Sequence, residues 1–526
     1  MGRHGAWRTT IRRVARPVGA LGILAHLYVA TPMTTIAVIG AGFSGTLLAL
    51  HLLRYAAPTT RVVLIERNSQ FGRGLAYASG NANHFLNVPA GRMSAFHDRP
   101  DHFLEWLRNL PEQDRGGIEV AAQAFVPRRL FGAYVRGLLN DEIKRTGRER
   151  LELVRGDVQA LDRGTRTLTV HLDRNRTVEA DLAVLAVGNF PPEPMSVANP
   201  GFYDSSFYRP DPWAADALSG LPRDAPVLLI GTSLTAVDAV VSLLDLQHAG
   251  PIYALSRRGL LPRRHETVRQ LPSEHVPFPT SVNALARFLR DEAARAAAEG
   301  CGWQPIIDEL RPFAADVWQT MSLSDRRRFL RHLRPWWDVH RHRMAGPVAD
   351  RIDAARNTGQ LRIITGRVRA YTINDSRVDV LYRPRGADID QTITVSRVVN
   401  CSGPGADYDR IGEPLVRNLL ANGVVRPDPL RLGLDVTVSC ALLDRSGAIS
   451  RRLFAIGPVT KGAFWEMTAV PDIRRQAEKL AEHLAGLTKS VVPPIASPMT
   501  DKTTPPQLRP ASFARISTAR IAGDCD

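Results

Sequence analysis

Two short turns carry small residues at a spacing suited to binding phosphate groups. The stretch IAVIGAGFSGTLL contains Gly40, Gly42 and Gly45, and VLLIGTSLTAVD begins a second turn at Gly231. Each turn follows an apolar run typical of a buried strand and precedes an apolar helical pattern. The first glycine permits the tight turn, the second admits a pyrophosphate close to the backbone, and the third lets helix and strand pack. The first turn therefore predicts a dinucleotide site, with a purely structural βαβ unit as the alternative.

The residues that follow the first turn indicate which dinucleotide it binds. A second apolar run, RVVLIERN, ends in Glu66, about 20 residues beyond the turn, as in dinucleotide-binding units. The Glu66 carboxylate can accept hydrogen bonds from ribose hydroxyls and would repel a 2′-phosphate. The first site is therefore predicted to bind FAD or NAD rather than NADP. We include Ser44, at the start of the helix, and Gly188, which follows the strand of LAVLAVGNFPP, among its cofactor-binding candidates.

The second turn is built differently from the first. Gly231, Thr232 and Ser233 form the turn, and Ala236 stands where the third glycine would be, which is an accepted variant. The hydroxyl groups of Thr232 and Ser233 can donate hydrogen bonds to phosphate oxygens. We therefore expect a second dinucleotide site here.

The second unit carries positive charge where the first carries Glu66. Its next strand, PIYALSRRGLLPRR, ends at Arg257 and Arg258. Two guanidinium groups suit a dianionic 2′-phosphate through charge-assisted bidentate hydrogen bonds. The second site is therefore predicted to bind NADPH, which would reduce a flavin held in the first site. The alternative is that both arginines are merely solvated, in a chain rich in arginine.

Seven segments together carry a resemblance to a known family. They are GAGFSGTLLALHLL, GRGLAYASGNANHFLNVPAGRMSAF, FVPRRLFGAYV, VLLIGTSLTAVD, RPWWDVHRHRM, VVNCSGPG and AIGPVTKGAFWEMTAVPDIRRQA. From about residue 34 to 485, the chain resembles the FAD/NAD(P)-binding protein family of bacterial flavoproteins. That family is similar in layout to the flavin-dependent N-hydroxylases and other two-dinucleotide monooxygenases. The disulfide reductases share the layout, but their CxxC motif does not occur here.

The resemblance implies an enzyme. The expected function is that of an FAD-dependent, NADPH-using oxidoreductase, a monooxygenase or hydroxylase of a small molecule. The alternatives are a flavin reductase or dehydrogenase without oxygen insertion, and a non-catalytic flavin-binding protein. The expected partners are a small-molecule substrate and oxygen, and the substrate itself is not specified by the motifs.

The resemblance also implies which segments lie at the flavin. The block 84–94 is expected beside the ring, with Asn87 bonding a flavin carbonyl and Arg92 near its N1–C2 carbonyl edge. The block 457–477 resembles the closing flavin segment and adds Trp465 as a third catalytic candidate. Loop hydrogen bonding is the alternative for the first two residues, and core packing is the alternative for Trp465.

Further candidates come from neighbouring segments. The cofactor-binding candidates Arg73, Gly457 and Thr468 complete the set, and Arg73 is expected to pair with the pyrophosphate. In RPWWDVHRHRM, Arg341 or Arg343 is a candidate for receiving an anionic substrate, with a basic face on a helix surface as the alternative. His340 and His342 are two residues apart and so point to different sides of a helix, which argues against a metal pair.

The composition excludes several classes of protein. The 526 residues carry a formal charge of +16, but the arginine excess is scattered, which argues against a nucleic-acid-binding protein. No run approaches the roughly 18 apolar residues of a membrane span. The four cysteines form no metal or redox motif, and their usage fits a cytoplasmic protein.

The predicted fold is α/β, with two Rossmann-like dinucleotide-binding domains, a helical insertion and a disordered C-terminal tail. Residues 1–33 are expected to be a targeting segment or a mis-assigned start. The FAD domain is predicted over 34–190 and 396–486, the NADPH domain over 191–395, and the tail over 487–526. The insertion at about 263–350 is expected to form a lid or a substrate subdomain.

Overall fold

The computed structural model describes residues 33–266 and 278–489. The expectations for the N-terminal segment 1–33, except Met33, lie outside the described residues, as do those for the tail beyond 489. The last helix runs over Val470–Lys489, so the predicted start of the tail at 487 falls inside that helix and is corrected.

Sixteen strands are described. They are β1 (Thr34–Ile39), β2 (Thr60–Glu66), β3 (Leu151–Arg155), β4 (Val158–Arg163), β5 (Leu168–Leu172), β6 (Thr177–Ala180), β7 (Leu182–Leu185), β8 (Tyr208–Arg209), β9 (Val227–Ile230), β10 (Ile252–Ser256), β11 (Leu361–Asn374), β12 (Arg377–Pro384), β13 (Gln391–Val395), β14 (Arg397–Asn400), β15 (Ala441–Leu443) and β16 (Ile449–Ala455).

Fifteen α-helices are described. They are α1 (Phe43–Tyr55), α2 (Gly74–Tyr77), α3 (His102–Asn109), α4 (Glu112–Arg115), α5 (Arg128–Thr146), α6 (Leu234–Asp245), α7 (Val282–Ala298), α8 (Gln304–Leu310), α9 (Ala314–Thr320), α10 (Leu323–Arg328), α11 (Arg334–Arg341), α12 (Gly346–Asn357), α13 (Pro414–Ala421), α14 (Lys461–Phe464) and α15 (Val470–Lys489). Short 3-10 and π segments connect some of them.

The first sheet has the order β15-β16-β7-β1-β2-β3 and is parallel except for the β15–β16 pair. Its central strands are apolar on both faces because helices α1, α5 and α15 cover one face and α13 with the small β4-β5-β6 sheet covers the other. Parallel strands covered on both faces form near-continuous hydrophobic runs, as β1 and β7 do. The predicted α/β class is confirmed.

The second sheet has the order β13-β12-β11-β10-β9-β14-β8. Strand β11 pairs in parallel with β10 along its first half and antiparallel with β12 along its second half. Strand β14 pairs with β9 in this sheet, so the chain returns to the first sheet after Asn400. The chain therefore passes from the second sheet to the first a few residues beyond the predicted domain boundary at 396.

The stretch between β10 and β11 holds helices α7 to α12. An apolar cluster joins α7, α8, α9 and α11 to Leu432 and Trp465, which lie in the C-terminal part of the chain. The helical insertion is thus packed onto the segment that closes the first domain. Within the described ranges, no helix is long and apolar enough to cross a membrane. In the same part of the chain, no group of three His, Cys, Asp or Glu side chains could hold a metal ion.

A buried ion pair links the two dinucleotide units. Arg128 Nη1, at the start of α5, lies 2.7 Å from Asp238 Oδ2 on α6, and both side chains are largely buried. Arg128 Nε also donates to the Phe85 carbonyl at 3.1 Å. His84 Nε2 lies 2.9 Å from the Ser242 hydroxyl and 3.1 Å from the Asp238 carbonyl. The block 84–94 is therefore held against the helix that follows the second turn.

Breaking this ion pair is expected to destabilise the protein. Arg128→Met leaves the Asp238 carboxylate buried without its charge partner, at a cost of about 3–5 kcal/mol. We expect lower midpoints of urea and thermal unfolding, while Arg136→Met, at an exposed position of the same helix, leaves them unchanged. The double variant Arg128→Met/Asp238→Asn should recover part of the loss. Equal midpoints for Arg128→Met and Arg136→Met would contradict this account.

Candidate functional site

The first turn is set by a close approach between two backbones. Gly40 has φ +106°, and a Cβ there would lie 2.3 Å from the Ala186 carbonyl oxygen. The Gly40 N–H donates to the Ile65 carbonyl at 2.8 Å, so the turn is fixed to β2 as well. A Cβ on Gly45 would lie 1.9 Å from the Gly40 oxygen, which leaves no room for a side chain. The turn therefore needs glycine at both positions.

The start of α1 has the features of a phosphate cradle. Gly42 is the N-cap, and no side chain caps the helix, so its first-turn N–H groups are available to an anion. A Cβ on Gly42 would lie 3.5 Å from the Cα of Gly74, which brings the following loop close to the turn. Arg73 is half-buried, and its Nε has no hydrogen-bond partner among the described residues. These groups fit a pyrophosphate.

Glu66 is held beside this cradle at the carboxyl end of β2. Its Oε2 accepts from the Ala41 N–H at 2.9 Å and its Oε1 from the Asn68 N–H at 3.0 Å. Each carboxylate oxygen keeps a free lone pair and no proton to donate. The fixed carboxylate fits a pair of ribose hydroxyls and disfavours a phosphate at that place.

The closing segment meets the start of α1. A Cβ on Gly457, which has φ +79°, would lie 2.5 Å from the Ser44 hydroxyl oxygen. The Gly457 N–H donates to Gln476 Oε1 at 2.8 Å, and Gln476 Nε2 donates to the Thr460 hydroxyl at 2.8 Å. Two residues named as cofactor candidates from distant parts of the sequence are thus neighbours.

Two other candidates of the first domain are less tightly placed. Gly188 follows β7 with φ +71°, and a Cβ there would meet nothing within 4 Å. Thr468 is exposed, and its N–H donates to the Glu466 carbonyl at 2.7 Å. Their roles at the cofactor stay predictions.

The second turn repeats the geometry of the first. Gly231 has φ +116°, and a Cβ there would lie 2.4 Å from the Cys401 carbonyl oxygen. Its N–H donates to the Leu255 carbonyl at 2.7 Å. Ala236 is buried in the core between α6 and the sheet. The second turn is therefore as closely packed as the first, although alanine replaces its third glycine.

The hydroxyl groups of the second turn differ from expectation. The Thr232 hydroxyl donates to the Leu260 carbonyl at 2.5 Å and lies 2.9 Å from the Ser256 hydroxyl. Its proton is already used, so the predicted donation to a phosphate is corrected for Thr232. Ser233 is exposed at the N-cap of α6, where its side chain makes no capping bond. Of the two hydroxyls, that of Ser233 is the one left to bind a phosphate.

Arg257 and Arg258 follow β10 in the second sheet, a position equivalent to that of Glu66 at the end of β2 in the first sheet. Arg257 is exposed and Arg258 is half-buried. Within ranges 33–266 and 278–489, neither side chain has an ion pair. Two unpaired guanidinium groups beside a dinucleotide turn fit a 2′-phosphate.

The block 84–94 lies between the first domain and the helical insertion. The Asn87 carbonyl accepts from His265 Nε2 at 3.0 Å. Burial is the main cause that lowers the pKa of His265 to about 4, and the charges of Arg343 and Arg92 lower it as well. Arg92 ends a short 3-10 segment and is exposed. Asn87 and Arg92 therefore lie together beside the insertion, and their roles at a flavin stay predictions.

Trp465 is placed in a packing role. Its ring stacks on Trp318 with centroids 4.9 Å apart, meets Phe329 edge-on at 5.1 Å, and is approached by Lys461 Nζ at 4.9 Å. The Trp465 backbone has φ +61° and ψ −66°, and the Glu466 N–H donates across it to the Phe464 carbonyl at 2.8 Å. This arrangement matches the rare and strained γ-turn. A catalytic role for Trp465 stays a prediction, whereas its packing is observed.

The γ-turn aims Glu466 into the helical insertion. Glu466 is 3% exposed, accepts from Trp337 Nε1 at 2.9 Å, and lies 3.2 Å from Arg341 Nη2. Burial opposes ionisation of this carboxyl, but Arg341, His342 and the Trp337 hydrogen bond outweigh it and lower the pKa of Glu466. Glu466 is therefore an ionised anchor between the closing segment and α11.

Arg341 and Arg343 do not form a solvated basic face. They are 5% and 3% exposed, so the surface alternative is wrong for both. Arg311 is a further residue of this site, which the sequence did not predict, and its Nη2 lies 3.3 Å from Asp472 Oδ2 at the start of α15. No sequence motif marks Arg311. The one sequence signal for the buried Arg341 and Arg343 is the alternation of tryptophans with cations in RPWWDVHRHRM.

Adding a methyl group at Gly457 is expected to disturb the closing segment. Gly457→Ala imposes a left-handed backbone on alanine, costing about 1–2 kcal/mol, and a clash with Ser44 costing about 1–3 kcal/mol more. We expect a lower midpoint of urea unfolding. Adding Ser44→Ala removes the hydroxyl contact and should recover part of the clash contribution only, since the Ser44 Cβ would still lie 3.1 Å away. Wild-type stability of the Gly457→Ala variant would contradict the observed contact.

The comparisons with known proteins agree with this architecture. Residues 37–190 match a family model described as FAD-NAD(P)-binding. An ornithine N-hydroxylase from Kutzneria sp. 744, with reduced FAD, NADP+ and L-ornithine, is 16% identical, with 87% of this chain and 100% of that chain covered and a TM-score of 0.60. The L-lysine 6-monooxygenase of Pseudomonas syringae is 14% identical over 87% and 99%, also with a TM-score of 0.60.

A third solved structure extends the match. The FAD-bound cadaverine monooxygenase of Erwinia amylovora is 13% identical over 90% of this chain and 99% of that chain, with a TM-score of 0.54. The chain shares the fold of the flavin-dependent N-hydroxylases. The predicted resemblance is thereby confirmed, and the N-hydroxylase fold accounts for both Rossmann-like sheets. No curated protein matches the chain in sequence.

Proposed function

We propose that the protein is an FAD-dependent, NADPH-using monooxygenase that hydroxylates a small molecule. The observation that carries the proposal is the pair of equivalent turns with opposite charge beside them. Gly40 and Gly231 each lie against the backbone carbonyl of the residue that follows a neighbouring strand. Glu66 stands beside the first turn and Arg257 beside the second. A carboxylate suits the ribose of FAD, and guanidinium groups suit the 2′-phosphate of NADPH.

Bound FAD and NADPH would supply electron transfer and oxygen activation, so that one oxygen atom enters the substrate and the other leaves as water. The chain's own residues bind and orient these groups. The uncapped start of α1 and Arg73 would hold the pyrophosphate of FAD, and Glu66 would fix its ribose. Ser233 and the start of α6 would hold the NADPH phosphates. Arg92 would place a positive charge beside the flavin.

The remaining parts of the proposal concern partners and location. The partners would be the small-molecule substrate and oxygen. We place the enzyme in the cytoplasm because the described cysteines, Cys301, Cys401 and Cys440, are free thiols, as is usual in a reducing compartment.

Product analysis tests the proposed reaction. The purified protein is expected to be yellow, to consume NADPH and oxygen together, and to release a hydroxylated product when a substrate is present. NADPH consumption that goes to an added electron acceptor and is insensitive to oxygen would instead indicate a reductase or dehydrogenase. A flavin that neither nucleotide reduces would indicate a non-catalytic flavin protein.

The nucleotide preference gives a separate prediction. Arg257→Ala combined with Arg258→Ala removes the charged donors to a 2′-phosphate and should weaken NADPH binding by about 10- to 100-fold. NADH has no 2′-phosphate and serves as the internal control, so its Kd should barely change. The Kd values follow from the rate of anaerobic flavin reduction against nucleotide concentration. An equal loss for both nucleotides would contradict the assignment.

A further inference from the structure

Three segments bring arginines together at the junction of the helical insertion with the first domain. Arg92 lies at the end of the block 84–94, Arg311 follows α8, and Arg341 and Arg343 lie at and just beyond the end of α11. We call these four residues the arginine cluster.

Arg311 and Arg341 pair with Asp472 and Glu466 of the same closing segment. The backbone N–H of His265 donates to the Met344 carbonyl, next to Arg343, at 2.9 Å, and His265 Nε2 lies 3.0 Å from the Asn87 carbonyl in the block that carries Arg92. In agreement with this proximity, the charges of Arg92 and Arg341 lower the pKa of Arg311 and of Arg343, after burial as the main cause.

Part of the cluster's hydrogen-bonding capacity is unused. Nε and Nη2 of Arg341 and Nε of Arg343 are buried with no hydrogen-bond partner among the described residues. Each guanidinium has five N–H donors and no acceptor. Native proteins rarely leave buried donors unpaired, so such groups require an explanation. A bound oxygen anion would supply one.

The carboxylates around the cluster do not match its charge. Arg343 pairs with Asp308, Arg311 lies 3.3 Å from Asp472, and Arg341 lies 3.2 Å from Glu466. The last contact is not aligned as a hydrogen bond, since Glu466 Oε2 is also without a partner. Arg92, the fourth arginine, is exposed and has no ion pair within the described ranges.

Lys461 adds further positive charge. Its pKa is lowered, chiefly by burial, and it is close enough to Glu466 for their charges to interact. Burial lowers the pKa of Arg311 to about 10, and the charge of Arg341 contributes to that shift. The three buried arginines are matched by three carboxylates, so the excess positive charge of this region comes from the exposed Arg92 and from Lys461. This excess attracts anions and repels cations.

The cluster also lies where a substrate would meet a flavin. Asn87, in the same block as Arg92, is bonded through its carbonyl to His265 of the insertion. Glu466 and Asp472, which hold Arg341 and Arg311, belong to the closing flavin segment. The block that carries Arg92 and the segment that carries Glu466 and Asp472 therefore both contact the insertion.

We infer that the arginine cluster receives the carboxylate groups of the substrate, and that this substrate is a small amine with a net negative charge. The inference rests on the proposed monooxygenase function and assigns its substrate class. The N-hydroxylases of similar fold act on ornithine, lysine and cadaverine, which carry a second amine. A second ammonium group would be repelled by the cluster, whereas a second carboxylate would be bound by it.

Binding to the oxidised, FAD-loaded enzyme tests the inference. Difference spectra of the flavin and thermal unfolding are recorded with L-aspartate and L-glutamate, and with L-lysine, L-ornithine and cadaverine. We expect the two dicarboxylates to bind at least about tenfold more tightly than the three diamines. That is the ratio of Kd values that one additional charge-assisted hydrogen bond would give. Tighter binding of the diamines would overturn the inference. The absence of binding of either class at ligand concentrations up to roughly 10 mM, which exceeds the Kd of a weak complex, would also overturn it.

Variants connect the binding to the cluster. Arg341→Met and Arg92→Met should each weaken dicarboxylate binding by about tenfold or more. Arg92 is exposed, so its variant keeps the test valid if Arg341→Met fails to fold. Arg287→Met, at an exposed position of α7, is the matched control and should bind as the wild type does. Unchanged dicarboxylate affinity in Arg92→Met would overturn the inference.

The anion could also come from a cofactor rather than from the substrate, and the same variants separate the two sources. If the cluster holds a phosphate or the reduced flavin, Arg92→Met will change FAD content or flavin reduction potential and leave the dicarboxylate Kd unchanged, which contradicts the inference. Failure of the proposed function has a different signature, because NADPH would then not bleach the flavin of the wild-type enzyme, whatever the substrate affinities are.

Discussion

Both dinucleotide units depend on one steric constraint, the approach of a turn to the carbonyl oxygen that follows a neighbouring strand. A Cβ on Gly40 would lie 2.3 Å from the Ala186 oxygen, and one on Gly231 would lie 2.4 Å from the Cys401 oxygen. The two glycines also have φ values near the same positive angle, +106° and +116°. This approach directs each following helix so that its N-terminus faces the carboxyl edge of its sheet, where a phosphate would bind.

Because the two turns have the same backbone geometry, we attribute the proposed difference in nucleotide specificity to the side chains beside them. Glu66 is fixed by two backbone N–H groups, so its carboxylate cannot turn away from the first turn. Arg257 and Arg258 are not tied to carboxylates in the described chain and stay available to a phosphate. In the proposed function, opposite charges on equivalent scaffolds give the two sites different nucleotide preferences. The Arg128–Asp238 pair holds the two units together.

The sequence allowed the strands, the glycine turns and Glu66 to be predicted because each depends on local pattern. The strand pairing of β1 with β2 and β7 then brings the predicted residues to one edge. The contact between Ser44 and Gly457 could not be predicted, since it depends on how α15 packs against α1. The corrected role of Thr232 has the same origin, because its acceptor lies in the loop beyond the next strand.

The sequence predicted Arg92, Arg341 and Arg343 as separate site candidates, but it did not predict Arg311 or the grouping of the four arginines. Arginines are frequent in this chain, and their type alone does not distinguish a buried cation from a solvated one. Burial of Arg341 and Arg343 results from packing of the helical insertion on Trp465 and from the position of Glu466, which the γ-turn directs. Such a cluster forms only through tertiary contacts among three segments, and no spacing within any one of them reveals it.

The account depends on one proposed step, in which NADPH bound at the second turn would reduce a flavin held at the first. Anaerobic mixing of FAD-loaded Gly231→Ala protein with NADPH, beside the wild type, tests it most directly. We predict that the variant keeps its FAD and that its flavin is bleached about a hundredfold more slowly, the effect of displacing a bound reactant by about 1 Å. Bleaching at the wild-type rate in a variant that retains FAD would contradict the account.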